Sequence, residues 1–218
     1  MKAPTSYVVI DTETNDFSNA FVLQMGFCVV EDGKIIEQMS MNIVPPPGLH
    51  ITPGAAKVHG LTYEILEKTG SAHEEILPDI REAIIEYGTG WMMGQNFTFD
   101  TQSLNSTFKH AGMEPIDFSE MQFIDVGVTF KAHRLRHEWD WGAKAQRGNR
   151  DLNAFYSHIK AQRTTGLKWN IDYCMNHFEV EAKKRGDHDA GEDCKLTHLI
   201  YEKMREQGII EEILFNAE

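Results

Sequence analysis

The sequence predicts a mixed α/β fold in which a five-stranded sheet carries helices on both faces. Three strands come first, over residues 7–10, 21–30 and 34–44, and are rich in β-branched and aromatic side chains. Asp32-Gly33 between the second and third strands is a strong hairpin signal, so these strands form an antiparallel meander. Helical patterns then alternate with short apolar runs, which indicates two parallel strands covered by helices.

The second part of the chain contains most of the helical signals. Thr62 and Ser71 have the sequence context of helix N-caps, and Pro78 predicts a kink or a restart within the helix that follows Ser71. The two parallel strands are predicted at 91–93 and at 122–126, with Asp125 at the end of the latter. The predicted helices cover residues 62–68, 71–87, 100–111, 167–178 and 189–206.

Composition indicates a globular protein of the cytoplasm. The 218 residues carry a formal net charge of −12, which argues against broad electrostatic wrapping of duplex DNA. No apolar run approaches the length of a membrane span, and the first residues lack the apolar stretch of a signal peptide, so we expect no membrane association. The three cysteines are scattered and lack metal-ligand spacing, which is typical of free thiols in a reducing compartment.

One segment differs in composition from the rest of the chain. Residues 131–170 hold nine Lys or Arg against three Asp or Glu, together with three of the four tryptophans. We therefore interpret residues 1–218 as a single domain with a basic, aromatic insertion at about 131–166. Such a segment suits a single-stranded nucleic acid through phosphate contacts and base stacking. A solvated insertion whose aromatic side chains pack on the body is the alternative.

Two acidic residues, Asp11 and Glu13, follow the first predicted strand. In an extended backbone, side chains two positions apart point to the same face. Their carboxylates repel each other unless a cation lies between them, and oxygen ligands suit Mg²⁺ or Mn²⁺. The pair predicts a divalent metal site, with solvated acids at a strand end as the simpler alternative.

Further candidate residues lie after the strand at 91–93 and around the start of the last long helix. Asp100 stands near the carboxyl end of a central strand, where open α/β sheets bind ligands, although an acid at a helix start is also a common cap. Asp193 lies on the last helix and His188 lies in the loop before it. A rigidly held acid suits a metal ligand, whereas a histidine on a loop suits a general base.

In chain order, three motifs resemble those of the DEDDh 3′–5′ exonuclease family, which includes the proofreading subunit of bacterial DNA polymerase III, RNase T and oligoribonuclease. These motifs are Asp-x-Glu at 11–13, Asn-x-x-x-Asp at 96–100 and His-x-Ala-x-x-Asp at 188–193. Segments 56–62 and 167–174 are also similar to family segments. The resemblance spans about residues 7–205, without roughly 133–165. It implies an RNase H-like fold and hydrolysis of single-stranded nucleic acid, with DNA favoured, from the 3′ end to nucleoside 5′-monophosphates.

The resemblance also implies a role for each matching residue. Asp11, Glu13 and Asp193 would hold the metal ion that activates water, and Asp11 would bridge to a second ion. Asp100 would bind that second ion through water, with Mg²⁺ or Mn²⁺ as the two divalent ions. His188, in its neutral form, would take a proton from the attacking water. The substrate would contact Thr12, Thr14, Phe17, Val58, His59, Asn96 and Phe99.

Several alternatives stay open. The apolar substrate-contacting residues suit core packing equally well, and His59 suits a loop hydrogen bond. The same chemistry fits an RNA-trimming or short-oligonucleotide exoribonuclease. A second alternative, from another functional class, is an accessory proofreading or binding subunit of a larger replication or repair complex, with a polymerase or other protein partner. A homodimer is equally compatible with the sequence. Departures from the family pattern at Asn15, Asp16 and Gln95 predict an effect on substrate preference rather than on activity.

Overall fold

A six-stranded mixed sheet forms the centre of the protein. The computed structural model describes residues 2–18, 20–135, 152–181 and 187–215. The strands lie in the order β4-β3-β2-β1-β5-β6. The first three pair in an antiparallel fashion, and β5 and β6 extend the sheet in parallel from β1, which confirms the predicted arrangement. The strands are β1 (Tyr7–Thr14), β2 (Val22–Glu31), β3 (Lys34–Val44), β4 (Ser71–Ala72), β5 (Trp91–Gly94) and β6 (Gln122–Asp125).

The meander follows directly from local sequence. Asp32 and Gly33 have φ angles of 48° and 73°, and positive values at both positions are what a type I′ hairpin turn requires. Strand β1 is longer than predicted because its pairing with β2 continues to Thr14. Asp11 and Glu13 therefore lie within a paired strand, which holds their backbone more firmly than a strand end would.

The sixth strand was not predicted. Ser71 and Ala72 pair in parallel with Ile43 and Val44, at the edge of the sheet. The capping-box interpretation of Ser71 is wrong, because the following helix begins at His73 without a side-chain cap. One uninterrupted helix runs through Pro78, so the predicted restart does not occur.

Eight α-helices are present among the described residues. Of the five that were predicted, two begin three or four residues away from the predicted start. The fourth begins at Phe97, three residues early, because Asn96 adopts a left-handed conformation with φ 64°. The seventh begins at Ile171, because Asn170 is its N-cap and accepts from the Tyr173 N–H. The helices are α1 (Pro53–His59), α2 (Tyr63–Thr69), α3 (His73–Tyr87), α4 (Phe97–His110), α5 (Val126–Leu135), α6 (Leu152–Ala161), α7 (Ile171–His177) and α8 (Ala190–Glu206).

Helices α4 and α8 pack on opposite faces of β1. The hydroxyl of Tyr7 lies 2.9 Å from Nδ1 of His198 on α8. The hydroxyl of Thr12 instead donates to Asp100 on α4. Tyr7 and Thr12 are an odd number of positions apart, and side chains alternate between the two faces of a strand. Glu13 therefore lies on the α8 face.

The first turn of α8 lies unusually close to β2. A Cβ atom on Gly26 would stand 2.3 Å from the backbone carbonyl of Ala190, so only glycine fits. The side-chain oxygen of Gln24 accepts from the Ala190 N–H at 2.7 Å. The hydroxyl of Ser40 donates to Asp189 Oδ1 at 2.7 Å. Strands β2 and β3 thus fix the position of this helix terminus.

The compositionally distinct segment is partly built into the body. Lys131 belongs to α5 and is 3% exposed, while Phe155 and Tyr156 of α6 lie in the hydrophobic core. These two aromatic side chains therefore follow the packing alternative. Trp139 and Trp141, on which the strand-binding alternative also depends, lie outside the described residues.

The three cysteines, Cys28, Cys174 and Cys194, are free, as predicted, and all three are buried. All three belong to the hydrophobic core. Within the described ranges, no helix combines the length and the apolar character needed to cross a bilayer.

We predict that Gly26→Ala destabilises the fold, because the added methyl group would overlap backbone atoms of Ala190. Overpacking of this kind costs about 1–3 kcal/mol, and urea denaturation followed by circular dichroism measures it. Gly54→Ala is the matched control, because a Cβ there meets nothing within 4 Å. Equal free energies of unfolding for the two variants would contradict the prediction.

Candidate active site

Three predicted residues from distant parts of the chain come together beside the sheet. Ligand atoms of Glu13, His188 and Asp193 all lie within 4.8 Å of one another. Nδ1 of His188 is 3.7 Å from Asp193 Oδ2 and 3.9 Å from Glu13 Oε1. Glu13 is 7% exposed and Asp193 is 3% exposed, so both carboxylates are largely removed from water.

The packing of α8 and α1 places two of these side chains. Asp193 lies in the first turn of α8, and its N–H donates to the Asp189 carbonyl at 2.8 Å. The N–H of His188 donates to the Val58 carbonyl at 3.0 Å, which holds the loop against the end of α1. Gly60 ends α1 with φ 71°, and a Cβ there would stand 2.8 Å from Asp187. The loop therefore depends on a glycine at this point.

A cavity of about 710 Å³ opens beside the cluster. It receives side chains from β1, α1, the start of α4 and the segment before α7. Eleven of the twelve predicted site residues line it. These are Asp11, Thr12, Glu13, Thr14, Phe17, Val58, His59, Asn96, Phe99, His188 and Asp193.

Asp100 is the predicted site residue that does not line the cavity. It is 2% exposed, and its Oδ1 accepts from the Thr12 hydroxyl at 2.7 Å. Burial raises the pKa of the Asp100 carboxyl to about 7, against the opposing effect of the Thr12 hydrogen bond, and the nearby Asp125 raises it further. Asp100 is thus placed behind Thr12 and is only weakly acidic.

Asp125 and Lys160 extend this buried polar region, and neither was predicted as a site residue. Asp125 is fully buried, and its Oδ1 accepts from the N–H groups of Asn96 and Val128. Lys160 Nζ lies 3.3 Å from Asp125 Oδ2 and donates to the Thr98 hydroxyl at 2.9 Å. Burial raises the pKa of Asp125, while Lys160 opposes that shift. Lys160 of helix α6 thus pairs with Asp125, and Asp125 in turn accepts a hydrogen bond from the N–H of Asn96 at the start of α4. The position of Asp125 at the end of a predicted strand is a sequence signal for a site residue. No sequence signal marks Lys160.

Apolar side chains line one side of the cavity. Phe17 is 77% exposed and Val58 is 39% exposed, so core packing does not account for either. Phe99 is half-buried, and its ring centroid lies 6.5 Å from that of Phe17. These exposed apolar surfaces suit contact with a ligand.

His59 makes one hydrogen bond within its own loop and one to strand β1. Its Nδ1 accepts from the Leu61 N–H at 3.0 Å, so Nε2 carries the proton that is donated to the Thr14 carbonyl at 3.1 Å. Burial lowers its pKa, and the ring is 4% exposed. The loop hydrogen bond is therefore present, and the ring also lines the cavity.

The three departures from the family pattern differ in position. Asn15 is buried and holds the turn, since its Oδ1 accepts from the Phe21 N–H and its Nδ2 donates to the His50 carbonyl. Asp16 lines the cavity, as does Gln95. Of the first two, Asp16 is the one placed to meet a ligand.

The cluster suits a divalent cation. Glu13 and Asp193 are buried acids with ligand atoms close together, and two such charges oppose each other unless a positive charge lies between them. His188 supplies that charge only when protonated. Oxygen ligands from Glu13 and Asp193, with Asp11 lining the same cavity, are the donor set that Mg²⁺ and Mn²⁺ prefer.

Comparison with known proteins identifies the family of this chain. A sequence model of the RNase T family, described as exonuclease, matches residues 8–201. The chain belongs to this exonuclease family. Membership confirms the resemblance to the DEDDh exonucleases and accounts for the order in which the three motifs occur.

Individual relatives of this exonuclease domain support the same fold. The chain is 27% identical over 113 residues to DNA polymerase III subunit epsilon of Pasteurella multocida, a match that covers 49% of this chain and 43% of that protein. The structure of E. coli Exonuclease I with a dA16 oligonucleotide superimposes with a TM-score of 0.70 at 15% identity, over 96% of this chain and 43% of that one. The structure of Exonuclease X with 5′ overhanging duplex DNA superimposes with a TM-score of 0.55 at 21% identity, over 93% of each chain. This chain therefore spans less than half the length of the first two.

We predict that Asp100 contributes a loss of stability to the metal-free protein as pH rises from about 4 to about 7, and that Asp100→Asn removes this contribution. The pKa of Asp100 is raised in the fold, so its stabilising contribution is complete below its ordinary value of 3.8 and is lost as pH rises through about 7. The difference is on the order of 4 kcal/mol. Urea denaturation in EDTA measures it, with the exposed Asp79→Asn as control. An unchanged pH slope in Asp100→Asn would contradict the assignment.

We further predict that Lys160→Met destabilises the protein by about 3 kcal/mol, because it leaves the buried Asp125 carboxylate without this cation. Asp125→Asn keeps an acceptor for the two backbone N–H groups while removing the charge. The double variant should therefore recover much of the loss, as measured by a double-mutant cycle in urea. Additive losses would show that the two side chains act independently.

Proposed function

We propose that this protein is a metal-dependent 3′–5′ exonuclease that hydrolyses single-stranded nucleic acid, preferably DNA, to nucleoside 5′-monophosphates. The observation that carries the proposal is the grouping of Glu13, His188 and Asp193 within 4.8 Å beside a cavity large enough for a nucleotide. Membership of the exonuclease family supports the same activity.

The side chains divide the work of hydrolysis. Asp11, Glu13 and Asp193 would hold divalent cations, with Asp100 acting through water from its position behind Thr12. When bound, such cations lower the pKa of coordinated water and offset charge on the scissile phosphate. His188, in its neutral form, would accept the proton of the attacking water. The water oxygen forms a bond to phosphorus, and the bond to the 3′-oxygen of the preceding nucleotide breaks.

The exposed apolar wall would receive the terminal nucleotide. Phe17, Val58 and Phe99 offer flat or apolar surface, with Asn96 and the His59 ring at the same cavity. Ligand pockets commonly combine apolar walls with a few polar groups in this way. Thr12 and Thr14, on the strand that carries the acids, would flank the phosphate.

DNA is the favoured substrate because the structural relatives include Exonuclease I with dA16 and Exonuclease X with duplex DNA. An exoribonuclease is the second candidate, since the matching family model is that of RNase T. The epsilon relative, a subunit of DNA polymerase III, raises the further possibility that this chain works with a polymerase or another protein partner.

The test is digestion of a 5′-labelled single strand with Mg²⁺ or Mn²⁺, where the protein should shorten the strand from its 3′ end. Asp193→Asn should abolish cleavage, because it removes a carboxylate from the cluster, and His188→Ala should slow it about 10²–10⁴-fold. His110→Ala, which changes an exposed histidine at the end of α4, is the matched control and should behave as wild type.

An intact strand with both metals would overturn the proposal. DNA and RNA oligomers of equal length and sequence, compared by kcat/KM, separate the two candidate substrates. EDTA should abolish the activity on either strand, and added Mg²⁺ or Mn²⁺ should restore it.

A further inference from the structure

The segment before α7 forms a second wall of the cavity. Sequence predicts a helix from residue 167, yet α7 begins at Ile171 and the preceding residues form a loop. Five consecutive residues, 167–171, line the cavity. The functional assignments so far use none of them.

This wall is held in place by side chains of the body. The Gln95 amide donates to the Trp169 carbonyl. A Cβ on Gly127 would stand 2.3 Å from Gln95 Nε2 and 3.0 Å from the Trp169 oxygen, so glycine makes room for this contact. Asn170 Oδ1 accepts from the Tyr173 N–H at 3.3 Å and starts α7. The loop is thus anchored at its centre and at its end.

A buried cation lies beside the indole ring of Trp169. Lys131 Nζ is 5.7 Å from the ring centroid. This ammonium group is fixed, because it donates to the carbonyls of Lys160 at 3.0 Å and Gln162 at 2.9 Å. Trp169 itself is half-buried. The Trp169 ring therefore packs against a fixed ammonium group on its inner side, and Trp169 lines the cavity.

Lys168 places a positive charge at a cavity whose other charged lining residues, within the described part of the chain, are acidic. Among the described residues that line it, four are acidic, namely Asp11, Glu13, Asp16 and Asp193, and Lys168 is the one Lys or Arg. Lys168 is exposed. A polyanionic strand entering an acidic cavity needs fixed positive charge beyond any cations bound at the acids.

We propose that Lys168 and Trp169 form a subsite for the nucleotide that precedes the terminal one, with Lys168 on its phosphate and Trp169 stacked on its base. The inference rests on the proposed function and extends it to strand recognition. The wall of Phe17, Val58 and Phe99 would hold the terminal nucleotide, and the 167–171 segment would hold the strand that leaves it. An aromatic ring accepts any base, so this subsite would favour single strands without selecting sequence.

The binding test measures affinity for thymidine 12-mers in EDTA by fluorescence anisotropy, across a series of salt concentrations. Lys168→Gln should weaken binding and reduce the slope of log K against log salt by about 0.7, while Lys168→Arg should restore the slope. Lys109→Gln, which changes an exposed lysine on α4, is the matched control. Trp169→Ala should weaken binding roughly ten-fold, and Trp169→Phe should weaken it less.

The kinetic test compares the 12-mer with the p-nitrophenyl ester of thymidine 5′-monophosphate, which has no preceding nucleotide. The loss in kcat/KM for Lys168→Gln and Trp169→Ala should be at least about ten-fold larger for the 12-mer. Equal losses on both substrates, or 12-mer binding and salt slope unchanged in Lys168→Gln, would overturn the subsite. If wild-type protein cleaves neither substrate, the proposed function fails, and the binding measurements still decide the subsite.

Discussion

The close contact between the first turn of α8 and strand β2 is the constraint on which the site depends. It exists because Gly26 has no side chain where the backbone of Ala190 passes. The Gln24 side chain then accepts a hydrogen bond from the Ala190 N–H, a group that has no partner within the helix because it lies at the helix start. The same first turn of α8 carries Asp193, whose carboxylate shares a cluster with Glu13 of β1.

The site concentrates buried negative charge, and the surrounding residues limit its cost. A hydrogen bond from the Thr12 hydroxyl offsets part of the cost of burying the Asp100 carboxyl. Two backbone N–H groups and Lys160 do the same for Asp125. Burial nevertheless raises the pKa of both acids. Clusters of this kind are unfavourable in a structural core, and they are typical of functional sites where a bound cation completes the charge balance.

Basic residues of the compositionally distinct segment act inside the protein as well as at its surface. Lys131 supports the Trp169 ring and Lys160 pairs with Asp125. Composition predicted either a strand-binding surface or a solvated insertion whose aromatic side chains pack on the body. Neither interpretation included a buried role for the basic residues, because a count of charges carries no information on which side chains turn inward.

The sequence by itself determined five of the six strands and predicted eleven residues that line the cavity. Alternating apolar residues and the Asp32-Gly33 turn define the meander, and the motif order predicts Asp11, Glu13, His188 and Asp193 as site residues, because these signals are local. Only the tertiary structure shows the contacts between residues that lie far apart in the sequence. It placed Asp100 behind Thr12, and Gln95 against the Trp169 carbonyl. It also paired Lys160 with Asp125 and left residues 167–170 as a loop, because such contacts join positions that no local pattern relates.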